Sequence, residues 1–214
     1  MRARIKKHID ERIKYCEEIV VFNAEAMSSK WADVFSNNNP VFVELGCGKG
    51  DFIIEMAKRN PNVNYIAIEK NASVFICAIE KAFPLKLSNL KFVNSEVQYL
   101  KYMFAENEIN EMFINFCDPW PSSKKAKRRL TNRAFLEIYK KILKNDGNIY
   151  LKTDNEQLFD YSLDEFYQSK FSLSDITYDL NDINKKDIIM SEYERKFSQL
   201  GMPIYSAVAK KIVG

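Results

Sequence analysis

The feature that most constrains this chain is an alternation. Between residues 41 and 168, short runs rich in β-branched and aromatic residues alternate with longer amphipathic stretches. The runs 41–45 (VFVEL), 65–69 (YIAIE), 90–93 (LKFV), 112–116 (MFINF) and 148–152 (NIYLK) read as buried strands. Residues 51–59 and 72–82 read as helices. A third helix is expected from Thr131 as N-cap, with Phe135, Tyr139, Ile142 and Leu143 at helical spacing and Asn145-Asp146-Gly147 as its stop. A fourth spans 156–168, with Leu158, Phe159, Leu163 and Phe166 on one face. Strands that are apolar on both faces, separated by helices, imply a mostly parallel sheet covered on both sides. Strand-like runs near 171–179 and 204–212 suggest an antiparallel addition at one edge of that sheet. Residues 1–39 read as a helical N-terminal arm and residues 40–214 as one α/β domain.

Composition narrows the classes further. With 46% hydrophobic residues and 28 aromatics (15 Phe, 11 Tyr, 2 Trp), the chain can build a substantial core, which excludes disordered and fibrous classes. No apolar run has the roughly 18–20 residues that a membrane span needs, and the basic start MRARIKKHIDER lacks the apolar stretch of a secretory signal. Cys16, Cys47, Cys77 and Cys117 form no CxxC or Cys/His cluster, so neither a zinc site nor a disulfide framework is expected, and free thiols suit a reducing cytoplasm. The net charge is only +3, but residues 119–145 hold nine of the 32 basic residues and one of the 29 acids. That stretch is therefore +8 and the remainder −5, a distribution that suits a polyanionic partner.

Two segments carry chemistry. In Glu44-Leu45-Gly46-Cys47-Gly48-Lys49-Gly50 a strand runs into a glycine turn and then a helix. Such turns lie at the carboxyl ends of the strands, where doubly wound sheets bind ligands. A dinucleotide fingerprint, G-x-G-x-x-G, requires glycine at position 51, where this chain has Asp51, an acid at the helix start that a pyrophosphate would occupy. The G-x-G-x-G spacing, with an acid two residues ahead, suits a cationic cofactor without phosphate, namely S-adenosylmethionine. Glu69, ending the second strand, can accept both ribose hydroxyls, and Glu44 can lie near the ligand's positive end.

The second segment is Asp118-Pro119-Trp120-Pro121, directly after the fourth strand. Pro119 restricts Asp118 to extended geometry and holds its carboxylate in place. Ser122, Ser123, Lys124, Lys125, Lys127, Arg128 and Arg129 follow at once, a positive loop able to grip phosphates while a base enters the site.

On these residues the chain resembles the bacterial tRNA (guanine-N7-)-methyltransferases. The resemblance covers nearly the whole chain. It runs from Trp31 through the Glu44–Gly50 loop, Glu69 and Asp118-Pro119-Trp120-Pro121 with its basic run to Lys152-Thr153-Asp154-Asn155. It continues in Ser191-Glu192-Tyr193-Glu194-Arg195-Lys196-Phe197 and Gly201-Met202-Pro203-Ile204-Tyr205. It implies an α/β fold of the class I S-adenosylmethionine-dependent methyltransferase type. That is a Rossmann-like, seven-stranded sheet, mostly parallel with one antiparallel strand in the edge region. It implies cofactor contacts from Glu44, Gly46, Gly48, Glu69, Glu96 and Asp118, with S-adenosylhomocysteine as product and no metal. Asp118 is implied as the catalytic residue, Ser122, Asp154, Ser191, Glu192, Tyr193 and Glu194 as the substrate side, and Lys124, Lys125, Lys127, Arg128 and Arg129 as the RNA contact. The expected partner is tRNA, met by a cytoplasmic monomer or homodimer with no membrane. Four positions depart from the family's pattern: Ser122 and Ser123 stand where two lysines are usual, Ser191 replaces threonine, and Glu96 replaces aspartate.

The implied reaction is methyl transfer to guanine N7, whose in-plane lone pair carries no proton at neutral pH, so no general base is required. Asp118 then acts by alignment and electrostatics, while Asp154 or Glu194 accepts from guanine N1–H and N2–H₂, which excludes adenine because it has no N1–H. His8, the only histidine, lies on the arm. Three other readings compete. An exocyclic-amine methyltransferase uses an acid or amide followed by Pro-Pro-aromatic, and here Trp120 occupies the third position. A nicotinamide oxidoreductase is disfavoured by Asp51. A non-catalytic RNA-binding subunit would have no need of the full set of acids.

Overall fold

The computed structural model describes residues 8–180 and 200–212 of the chain. Seven strands form one mixed sheet in the order β3-β2-β1-β4-β5-β7-β6. Of the described residues, those up to Ala105 form one compact unit and those from Glu106 a second.

In the first unit, β1 (Val41–Leu45), β2 (Asn64–Ile68) and β3 (Leu90–Val93) are parallel and in register. Every residue of β2 is buried, as expected of a strand covered on both faces. Helices α3 (Asp51–Arg59) and α4 (Ala72–Ala82) bury Phe52, Ile53, Ile54 and Ala57, and Phe75, Ile76, Ala78 and Ile79. Asn71 caps α4 by accepting the Ser73 N–H at 3.0 Å. The turn between α3 and β2 is pinned by Asn89, whose amide donates to the carbonyls of Ala57, Asn60 and Val63 at 2.9–3.1 Å.

The N-terminal segment packs on this unit. Helix α1 (Ile9–Tyr15) is tied to α4 by a two-pronged Arg12–Glu80 pair. From α2 (Trp31–Phe35), Trp31 is fully buried, donates its indole N–H to the Met103 carbonyl at 2.8 Å, and stacks on Phe104 at 5.2 Å. Met103 ends the short helix α5 (Leu100–Met103). An aromatic pair of this kind adds about 0.5–1.5 kcal/mol beyond the area it buries.

In the second unit, β4 (Ile109–Asn115) runs parallel to β5 (Leu143–Thr153). Strand β7 (Tyr205–Lys211) is antiparallel to both β5 and β6 (Phe171–Thr177). The antiparallel strand is therefore inserted beside the edge, and β6 is the edge itself. Helix α6 (Arg133–Ile142) buries Leu136, Tyr139 and Ile142, and α7 (Glu156–Gln168) buries Leu158, Phe159 and Phe166.

Three local expectations change here. Asn132, not Thr131, caps α6: its side chain accepts the Ala134 N–H, while Thr131 is buried with its hydroxyl 2.7 Å from that of Ser162. Leu136 takes the buried position assigned to Phe135. Asn145-Asp146-Gly147 does not end the helix, which stops at Ile142. It forms an irregularity within β5, where Ile109 pairs with Leu143 but Glu111 pairs with Asn148. A side chain at Gly147 would stand 2.9 Å from the Asn110 carbonyl, which explains glycine at that point.

Candidate active site

The first unit gathers acids at the carboxyl ends of its parallel strands. Glu44 is the penultimate residue of β1, Glu69 directly follows β2, and Glu96 lies three residues beyond β3. Glu44 and Glu69 are only 2% and 9% exposed, whereas Glu96 is exposed. The glycine loop explains how a buried carboxylate is accommodated. Gly48, at φ 58°, turns its N–H onto Glu69 Oε2 at 3.2 Å, and the Asn71 N–H reaches Oε1 at 2.8 Å. Burial pushes the Glu69 carboxyl up, and these backbone donors pull against it. The Asn94 side chain donates to the Glu69 carbonyl at 2.6 Å and fixes the backbone there. Between these acids, burial pushes the Cys47 thiol well up, and the charges of Glu44 and Glu69 add to the effect.

These residues fit S-adenosylmethionine. A carboxylate has about four lone-pair positions, so Glu69 keeps acceptor capacity for ribose hydroxyls beyond its backbone bonds. A Cβ built on Gly46 or Gly48 would meet no atom within 4 Å, so the loop's backbone is open to close approach. Buried carboxylates around it suit a cationic ligand and repel a pyrophosphate. Among the described residues no group of three or more His, Cys, Asp or Glu could hold a metal ion.

The second unit presents a different construction at the ends of β4 and β5. The Phe116 N–H continues the ladder to the Lys152 carbonyl at 2.8 Å, and Asp118 follows two residues later, exposed. Asp154 directly follows β5. The Thr153 hydroxyl accepts the Asn155 N–H at 3.1 Å, and Asn155 caps α7 through the Leu158 N–H at 2.8 Å. Asp118 and Asp154 both lie within electrostatic reach of Cys117: burial pushes its thiol up to about 12, and the charges of both acids act in the same direction. Cys117 is therefore a thiol at neutral pH, not a thiolate nucleophile.

The Asp118-Pro119-Trp120-Pro121 loop is held under strain. Trp120 adopts φ 42°, a left-handed conformation that costs a residue with a side chain about 1–3 kcal/mol. Arg129 offsets it. This residue is 8% exposed, donates Nε to the Pro119 carbonyl at 3.0 Å and Nη2 to the Trp120 carbonyl at 3.1 Å, and lies 4.2 Å over the Tyr161 ring. Grouped by sequence with the cations expected to face RNA, Arg129 is instead turned inward.

The other members of that run face solvent. Ser123–Arg128 forms a 3₁₀ turn in which Lys124, Lys125, Lys127 and Arg128 are exposed, with Ser122 exposed just before it. Lys125 and Arg128 stand over the Trp120 ring at 5.7 and 5.0 Å, so the tryptophan orients part of the basic surface. Ser191, Glu192, Tyr193 and Glu194 lie outside the described residues. The contacts of 129–133 with α7 escaped sequence reasoning; the only trace was an arginine at the inner end of a basic run.

The sheet order, the open glycine loop and the acids at the strand ends define a Rossmann-like S-adenosylmethionine-dependent methyltransferase. A family model described as "Putative methyltransferase" matches residues 38–207. The chain is 43% identical over 210 residues to the tRNA (guanine-N(7)-)-methyltransferase of Geobacillus sp. (strain WCH70), covering 98% of this chain and 96% of that one. It is 42% identical over 212 residues to the enzyme of the same name from Clostridioides difficile (strain 630), covering 99% of both. The chain belongs to the bacterial tRNA (guanine-N7-)-methyltransferase family. Among solved structures, a single-site mutant of the 16S rRNA (adenine(1408)-N(1))-methyltransferase from Catenulisporales acidiphilia, with cosubstrate SAM, superposes with a TM-score of 0.62. It is 13% identical and covers 86% of this chain and 91% of that one, which shows a common fold.

Proposed function

We propose that this protein methylates N7 of a guanine in the variable loop of tRNA, in the cytoplasm. The observation that carries the reading is the Asp118 loop: an acid followed by a proline and a strained tryptophan, with Asp154 acting on the same Cys117 and an exposed basic turn leaving the loop. Membership of the family supports the choice of base.

S-adenosylmethionine supplies an electrophilic methyl group when bound. Glu69 would accept its ribose hydroxyls, Glu44 would lie near its positive end, Glu96 would be a further contact, and Gly46 and Gly48 would let the backbone approach. Guanine N7 needs no deprotonation, so the protein's task is to place N7 in line with the methyl–sulfur bond. Near-attack alignment is worth up to roughly 7–11 kcal/mol. Asp118 serves that alignment as an acceptor and charge partner. Asp154 accepts from guanine N1–H and N2–H₂, with Ser122, Ser191, Glu192, Tyr193 and Glu194 completing the substrate side. Lys124, Lys125, Lys127 and Arg128 contact phosphates and set the register of the RNA.

The test is incubation with unmodified tRNA and labelled cofactor, followed by mild base and aniline. Strand scission at a variable-loop guanine is expected, because among the methylguanines N7-methylguanosine is the one cleaved in this way. Label incorporated without scission would point to an exocyclic amine and refute the assignment.

A further inference from the structure

We propose that Arg129 is a positioning residue: its guanidinium clamps the Asp118 loop to helix α7 and so holds the two substrate-side acids in one fixed geometry. The proposal rests on the reading of Asp118 and Asp154 given above. Pro119 and Pro121 have no N–H, and Trp120 between them is held at a positive φ, so the loop is poor in donors of its own. Its carbonyls need an outside partner. Arg129 supplies one with a planar fork whose two N–H groups reach the consecutive carbonyls of Pro119 and Trp120. The face of the same group rests on Tyr161, in the second turn of the helix that Asn155 caps immediately after Asp154.

The residues after Arg129 extend the attachment. Thr131 meets Ser162, the Asn132 amide donates to the Tyr161 hydroxyl at 2.8 Å, and Arg133 engages the Glu165 carboxylate through its backbone and side chain. Tyr161, Ser162 and Glu165 line one side of α7, so 129–133 is bound along the helix like a seam. Lysine cannot replace this guanidinium. One ammonium lacks both the parallel donors and the flat face. At 8% exposure this cation is turned away from the solvent side on which a phosphate would approach.

The experiment compares Arg129→Lys, Tyr161→Leu and Tyr161→Phe with the wild-type protein in steady-state methylation of tRNA at several salt concentrations. A clamp predicts that Arg129→Lys lowers kcat by about ten- to a hundredfold, the scale of an ångström-level misplacement. The KM for tRNA and its salt slope stay near wild type. Tyr161→Leu repeats the pattern, and Tyr161→Phe, which keeps the ring, recovers most of the turnover. Acrylamide quenching gives a readout independent of activity. Of the two tryptophans Trp31 is 1% exposed, so quenching reports Trp120 and should rise in Arg129→Lys and Tyr161→Leu. Wild-type kcat and quenching in Arg129→Lys would overturn the clamp. So would a raised KM with a salt slope reduced by roughly 0.7–0.9, the signature of one lost phosphate contact. If the wild-type enzyme modified another atom, the assignment of N7 would fail, while the quenching series would still decide the clamp.

Discussion

The glycine loop of the first unit and the Asp118 loop of the second do comparable work by opposite means. Near Gly46 and Gly48 positive φ is free of steric cost, and the backbone itself supplies the donors that hold Glu69. Around Trp120 positive φ falls on a bulky residue between two prolines, and a buried guanidinium must supply the donors from outside. One loop is self-supporting. The other depends on tertiary structure ten residues and a helix away. A glycine loop can thus be rigid by composition, whereas the Asp118 loop is rigid only if its neighbours are.

This contrast can be broken at several points. The largest effect is expected from Asp118→Ala, which should reduce methyl transfer about a thousandfold while leaving circular dichroism unchanged. Near-normal turnover in the purified variant would remove Asp118 from the mechanism. Next, Glu69→Ala should weaken S-adenosylmethionine binding about 10- to 100-fold in calorimetry, the loss of hydrogen bonds to a charged acceptor, with tRNA affinity preserved. A similar loss of tRNA binding would mean that Glu69 does not belong to the cofactor side alone.

Replacing Lys124, Lys125, Lys127 and Arg128 with glutamine should raise the KM for tRNA several-fold and flatten the salt dependence by roughly 0.7–0.9 per lost contact. An unchanged slope would take the 3₁₀ turn off the RNA surface. The smallest effect concerns the seam. Pairing with Arg133 holds the Glu165 carboxyl below its ordinary value near 4.5. Native protein then binds fewer protons than unfolded protein in the acid range, so this stabilisation is present above the ordinary carboxylate value. It is lost as pH falls through the lowered one. Glu165→Gln should therefore lower Tm by roughly a few degrees at neutral pH and not at all at pH values below the transition. An identical Tm difference at all pH values would show that the pair contributes through packing rather than charge.

Much of the architecture was legible in the residues. Val41–Leu45, Asp51–Arg59, Ala72–Ala82, Leu90–Val93 and Glu156–Gln168 fall where periodicity puts them, because each is bounded by a glycine, asparagine or charged break and has one apolar pattern. The acids at strand ends were legible for the same reason, since a carboxylate closing a buried apolar run has few structural uses. Thr131 and Asn132 were not separable, because both are good caps and only the burial of Thr131 against Ser162 decides between them. Asn145-Asp146-Gly147 read as a stop because its composition fits a helix end and a strand irregularity equally well.

By itself the sequence determined the order of strands and helices along the chain, the backbone freedom of the glycine loop and the position of the Asp118 motif. Those properties are local: they follow from side-chain alternation, glycine conformations and the missing N–H of proline. Only the tertiary structure decided that one arginine of a basic run turns inward while its neighbours face solvent. Five cations in six residues are nearly equivalent as a string. They become different only when folding brings two backbone carbonyls and an aromatic face within reach of one of them.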